Sequence, residues 1–172
     1  MGWKTKWTIE KFKDPDGKIE SALHAGIPME KVIEDNSDAH FGHEIIDGNV
    51  ALNEGLQLCM TLITGAGGTA YSQANTYVGV GESATGEGPT DTGLLGSTKT
   101  YKACEAGYPT RVGQVITWRG IFGSADANIA WNEYTVVNAA TDAGTNLNRK
   151  TSSKGTKASG ETWTLDVAIT LS

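Results

Sequence analysis

Three groups of side chains in this 172-residue chain have the types that chemistry requires. The first is His40-Phe41-Gly42-His43, with Asp38 and Glu44 alongside. Two imidazoles three residues apart ligate zinc when they share one helix face. Gly42 between them, and a strand-like context, favour solvated polar residues instead; His24 is the only other histidine. The second group is Glu82, Glu87 and Asp91. Their spacing lacks the alternate ligands and terminal Glu of a calcium loop, so it reads as a flexible acidic loop. The third is Gly79-Val80-Gly81-Glu82-Ser83-Ala84, a loose dinucleotide fingerprint. That fingerprint must open a helix, whereas here it runs into Gly86, Gly88 and Pro89.

Other chemistry finds less. Gly81-Glu82-Ser83-Ala84-Thr85 lacks the second glycine of a nucleophile elbow. Gly93 to Lys99 lacks the Gly-Lys-Ser/Thr ending of a phosphate loop. Carboxylate pairs for glycoside hydrolysis come from distant strands, and nothing singles out a pair. The expectation is a binding protein and not an enzyme, with no catalytic, cofactor-binding or metal-ligating residue. Trp3, Trp7, Trp118, Trp131 and Trp163 have two readings. One is a platform on which sugar rings stack. The other is core and interface anchoring, the common place of tryptophan. Trp163 reads as core, and Trp3 and Trp7 as anchors.

The elements that must position these residues read mainly as strands. Thr162 to Leu171 alternates strictly, with Trp163, Leu165, Val167, Ile169 and Leu171 on one face. Gln114–Phe122 and Trp131–Val137 are further strands. Trp3, Thr5, Trp7 and Ile9 share a face of an N-terminal strand, and Asp14-Pro15-Asp16-Gly17 forms a turn. Lys18–Leu23, Met29–Glu34, His43–Ile46, residues 69–81 and part of 100–113 also read as strands. Residues 51–63 predict the one short helix, capped by Asn53, with Leu52, Leu56, Cys59, Met60 and Ile63 at helical spacing. Residues 82–99 and 138–160 read as long polar connections. The 22 glycines exceed the average usage of about 7% and fall mostly between strands. The fold class predicted is mainly β: an antiparallel sandwich or barrel, jelly-roll-like. It comprises an N-terminal β arm over 1–47 and a sandwich domain over 48–172.

Net charge −6 opposes a nucleic-acid surface. No run approaches the roughly 20 apolar residues of a membrane span. No signal peptide is read at the start, so synthesis in a cytoplasm is expected. Cys59 and Cys104 are too few for a disulfide framework and read as separate buried thiols.

Several words of the sequence resemble a group of small virion structural proteins of tailed bacteriophages. They are Thr117-Trp118-Arg119-Gly120-Ile121-Phe122-Gly123-Ser124-Ala125-Asp126-Ala127-Asn128, Trp131-Asn132-Glu133-Tyr134, Leu147-Asn148-Arg149-Lys150, Gly155-Thr156-Lys157 and the last strand. Gly48 to Gly55 and Val78 to Ser83 fit the same pattern. The resemblance covers about 48–172. It implies binding without catalysis, in a head decoration or cement protein, a head fibre, or a tail or fibre component. Long fibres usually show repeats, and none is visible. The expectation is therefore a decoration protein on the outer head surface. Its partners are the major capsid protein and copies of itself, a trimer being the guess. The alternative is a tail-tip or fibre domain that binds a host glycan.

Overall fold

The apolar face of the last strand is buried as far as Ile169, while Leu171 at its end is 38 % exposed and Thr162 and Thr164 on the opposite face are buried too. Trp163, Leu165, Val167 and Ile169 are all within 3 % of complete burial. The structure, a computed structural model, describes residues 3–172. In chain order the strands are β1 (Trp3–Lys13), β2 (His40–Asp47), β3 (Val50–Ala51), β4 (Tyr77–Gly81), β5 (Lys99–Ala103), β6 (Thr110–Val112), β7 (Val115–Phe122), β8 (Glu133–Val137), β9 (Asn146–Thr151) and β10 (Glu161–Leu171). They form two antiparallel five-stranded sheets. Sheet A runs β2-β1-β10-β7-β6 and sheet B runs β3-β9-β8-β4-β5. The sheets face each other as a sandwich and do not close into a barrel.

Between the sheets, one face of each strand supplies the core. Trp7 and Ile9 of β1 and Trp118 of β7 meet Val78, Tyr134 and Val136 of sheet B. β1 is hydrogen-bonded on both edges, to β10 and to β2. The N-terminal strand of the expected arm is thus an inner strand of sheet A.

Three helices are present where one was expected. Lys18–His24 is α1 and Met29–Asp35 is α2, both read from sequence as strands. Two features decide for helix. The Asp14 carboxylate accepts from the backbone N–H of Ile19 and Glu20 (3.0 and 2.8 Å), satisfying donors that a helix start leaves open. Ile19 and Leu23, four apart, then bury together with Val32 against Phe12 and Ile121. This second cluster covers the outer face of sheet A. The third helix, α3 (Asn53–Ile63), matches the expected one, although Leu52 and not Asn53 occupies the cap position.

The outer face of sheet B is covered by the 82–98 connection. β9 lies within the stretch read as a polar connection, because only Leu147 in it is apolar. Its polar residues are nonetheless buried: Asn146, Asn148 and Arg149 have no exposed surface. Asn146 and Arg149 pair with the loop above them, while Asn148 Oδ1 accepts from the Val136 N–H within the sheet (3.1 Å).

Candidate functional site

α3 meets β9 at its first turn, where Glu54 accepts from the Asn146 N–H (2.6 Å) and Gly55 touches the strand backbone. A Cβ there would stand 2.6 Å from the Leu147 Cα and 2.7 Å from the Asn146 carbonyl oxygen. Glycine thus lets the helix backbone touch the strand backbone. Gly55→Ala sets two effects against each other. Helix propensity gains about 1 kcal/mol. Overpacking against backbone, which cannot rotate away, costs about 1–3 kcal/mol. The expected result is a lower melting temperature, read by thermal denaturation, with α3 displaced from β9.

Beyond Gly55 the helix stands off the sandwich and roofs an apolar cavity of about 680 Å³. Leu56, Cys59, Met60 and Ile63 project from α3 into it. Ile116, Trp118, Ile169 and Leu171 form the sheet A side, with Trp3 beside them. The size falls within the roughly 300–1,000 Å³ of ligand and anchor sites. Polar atoms in the wall are already engaged. The Tyr71 hydroxyl donates to the Thr145 carbonyl (3.1 Å), and Trp118 Nε1 donates to the Tyr71 carbonyl (3.3 Å). Burial pushes the Tyr71 hydroxyl pKa up, and it pushes the Cys59 thiol up as well. Neither group is poised to ionise at neutral pH, so the wall is mostly carbon and neutral sulfur, with Arg111, Thr110 and Ser72 at its polar edge. A shallower hollow adjoins it at Arg111, Ile116 and Leu171. The rim is exposed: Met60 at 60 %, Ile63 at 77 %, and Val112, next to Arg111, at 77 %. Clustered exposed apolar groups of this kind mark interaction surfaces.

The histidines and Glu44 singled out in the sequence lie elsewhere and are paired with other charged side chains. His40 Nε2 and His43 Nδ1 bond the two oxygens of buried Glu10 (2.8 and 2.5 Å). Glu44 pairs instead with Lys11 (3.2 Å) and Lys154 (3.5 Å). His24 meets Glu105 (2.7 Å). No group of three or more His, Cys, Asp or Glu side chains with a metal-holding arrangement occurs among the described residues. Cys59 and Cys104 are free thiols, the first half-buried and the second in the core.

The acidic loop is fastened, contrary to the flexible reading. Glu82 accepts from the Ser97 hydroxyl (2.7 Å) and the Thr98 N–H (3.1 Å). Glu87 accepts from Lys150 Nζ (3.0 Å) and the Thr151 N–H (3.1 Å). Asp91 accepts from the Gly88 N–H (2.8 Å) and Arg149 (2.9 Å). Its anchor, missed from sequence, is the Arg149–Glu133 pair on the outer face of sheet B, with both side chains fully buried. Arg149 also donates to the Thr85 and Gly86 carbonyls, and Glu133 accepts from the Leu95 and Gly96 N–H groups. Gly79 and Gly81, the start of the dinucleotide-like run, lie under this layer. A Cβ on Gly79 would stand 2.8 Å from Tyr101, and one on Gly81 2.5 Å from the Glu133 carboxylate.

Acid is expected to loosen this loop. Burial acts to raise the Glu87 pKa, but the bonds from Lys150 and Thr151 and the lysine charge outweigh it, and the net shift is downward from 4.5. A carboxylate with a folded pKa below its unfolded one stabilises above the unfolded value. That contribution is lost as pH falls through the folded value, so the window lies below 4.5. Urea midpoints measured from pH 7 down to pH 3 should fall in that window, and Glu87→Gln should flatten the decline.

A buried amine was also missed. Lys157 Nζ donates to the Gly123 carbonyl (2.7 Å) and Asn128 Oδ1 (2.9 Å), and burial pushes its pKa down to about 8. It is 1 % exposed and holds the 123–129 turn. The tryptophans divide in the same way. Trp7, Trp118, Trp131 and Trp163 are at least 97 % buried, and of the five Trp3 and Trp118 line the cavity.

No family model, no curated protein and no solved structure matches this chain. The function therefore rests on the geometry above and on the resemblance noted in the sequence.

Proposed function

We propose that this protein is a structural component of a tailed-bacteriophage virion, a decoration protein that sits on the outer head surface and binds the major capsid lattice. The observation that carries the reading is the apolar cavity under α3 with its exposed rim. A wall of carbon with satisfied polar atoms recognises a hydrophobic protein anchor by shape and burial. The paired carboxylates and histidines elsewhere support adhesion over catalysis. Two sheets covered on their outer faces, by α1 and α2 on one side and the 82–98 loop on the other, make a stiff body suited to tying capsomers together. The glycan-binding alternative calls for exposed aromatics on the 82–99 or 138–160 loops, and neither stretch contains Trp, Tyr or Phe.

The test pairs location with surface mutation. The polypeptide should be found in purified heads, and recovery only in detached tails would defeat the placement. A Met60→Lys/Ile63→Lys variant changes two exposed side chains, so its melting temperature should be nearly unchanged. Its affinity for undecorated heads should fall about 30-fold or more, the loss of about 2 kcal/mol that marks a binding hot spot. Unchanged affinity would rule the cavity out as the docking surface.

A further inference from the structure

The geometry points to a self-formed cross-link: the side-chain amine of Lys157 attacks the side-chain amide of Asn128 and joins the two residues by an isopeptide bond. The reaction needs this chain alone and is independent of any partner. Lysine is almost never fully buried unless paired, yet Lys157 is 1 % exposed. Both of its side-chain bonds go to neutral oxygens, the Gly123 carbonyl (2.7 Å) and Asn128 Oδ1 (2.9 Å). Burial pushes its pKa down to about 8, and the negative charges of Asp126, Glu161 and Glu20 reverse that only in part. The neutral, nucleophilic amine is thus about a tenth of the population at pH 7, hundreds of times its share in an ordinary lysine.

The amide is presented to this amine. Asn128 Cγ lies one C=O bond beyond Oδ1, so Nζ is at most about 4.1 Å from the carbon it attacks. A small rotation brings it to the roughly 3–3.5 Å of a reacting pair and turns its lone pair on Cγ. The far end of the amide is fixed as well, since Asn128 Nδ2 donates to the Ser124 carbonyl (3.0 Å). Ala127, the residue before, is the one non-glycine with a left-handed φ (47°) among the described residues. Backbone held in so sparse a region clusters at functional segments. The Ala127 carbonyl accepts from Trp131 Nε1 (3.1 Å) and the Ile129 N–H (2.8 Å), which keeps the turn in that shape. The Lys157 N–H donates to the Ile129 carbonyl (3.0 Å), and Thr156 pairs with Ala130. Both reactants therefore stand on backbone that is already joined.

The atoms balance. Nζ bonds to Cγ, the Cγ–Nδ2 bond breaks, and one proton passes from Nζ to Nδ2, which leaves as ammonia. Neither an oxidant nor a second substrate is consumed. Asp126, Glu161 and Glu20 lie near enough for their charges to act on the amine, and a carboxylate among them carries the proton between the two nitrogens. Asn128 is exposed, so the ammonia leaves directly to solvent. The link closes residues 128–157, which carry β8 and β9 of sheet B, into a covalent ring between β7 and β10 of sheet A.

The test is intact-mass spectrometry of the purified full chain, kept folded, with tandem sequencing of its tryptic peptides. The chain should become lighter by one ammonia. Its digest should contain a branched peptide joining Asn128 to Lys157, with no cleavage after Lys157. The rate should rise with pH and level off above about 8, where the amine is neutral. Asn128→Ala changes an exposed side chain, so it should fold and keep its full sequence mass. Lys157→Met should keep its full mass too, as should the native chain unfolded in urea. Full sequence mass in the folded native chain, ammonia loss without the branched peptide, or ammonia loss that persists in Asn128→Ala or in urea would overturn the inference.

Discussion

Arg149→Met is expected to destabilise the fold by about 3–5 kcal/mol, the cost of stranding one partner of a buried ion pair. Arg149 and Glu133 are both fully buried, with Arg149 Nε at 2.9 Å and Nη2 at 2.7 Å from one carboxylate oxygen. Removing the guanidinium leaves the Glu133 carboxylate with the backbone N–H groups of Ser83, Leu95 and Gly96 and no countercharge beneath the loop. It also strips a donor from the Thr85 and Gly86 carbonyls and a cation from Asp91. Denaturant unfolding should report the loss, and hydrogen exchange should show residues 82–98 opening first. Adding Glu133→Gln removes the stranded charge and should recover a large part of the stability, because an apolar or neutral replacement of both partners costs far less than breaking the pair. A loss below about 1 kcal/mol for Arg149→Met, the scale of an exposed pair, would show that the loop is held by something else.

Trp131→Ala is expected to cost about 3–5 kcal/mol, as large aromatic deletions in cores do. Trp131 has no exposed surface and packs edge-on against Phe122 (4.8 Å between centroids) and Trp163 (5.0 Å). Its Nε1 donates to the Ala127 carbonyl (3.1 Å), so truncation also removes one of that acceptor's two bonds, the Ile129 N–H (2.8 Å) keeping the other. Trp131→Phe keeps a ring in the site and should fall between Ala and the native residue. Equilibrium unfolding measures both. The outcome separates two roles for the tryptophans. A sugar platform would be exposed, and its loss would weaken glycan binding while leaving the melting temperature alone. A core anchor does the reverse.

What was legible in the sequence follows how local the cause is. β10 and β7 were readable because alternation is written into consecutive residues. α3 was readable from Leu56, Cys59, Met60 and Ile63, although Gly55, which weakens a helix by propensity, is required by contact with Leu147. α1 and α2 were misread because seven residues hold fewer than two apolar repeats. The usable signal was Asp14, whose carboxylate caps α1 from four residues before its first residue. β9 was missed because Asn146, Asn148 and Arg149 are buried by polar pairing, which hydrophobic patterning does not register. The stiffness of the 82–98 loop was invisible for the same reason: Arg149 lies 58 residues from Asp91 and 64 from Thr85. The cavity was half legible. Its helical side is a local stripe, while its sheet side gathers Trp3, Ile116 and Leu171 from three separate strands.

The α3 cavity lies at the β6 end of sheet A, where the proposal seats a protruding anchor.

A density map of the intact phage head with this chain fitted into it tests the central proposal most directly. The account predicts the sandwich on the outer surface, with Met60 and Ile63 buried against the major capsid protein. Heads that lack the chain, or a fitted chain whose α3 face looks into open solvent, would contradict it.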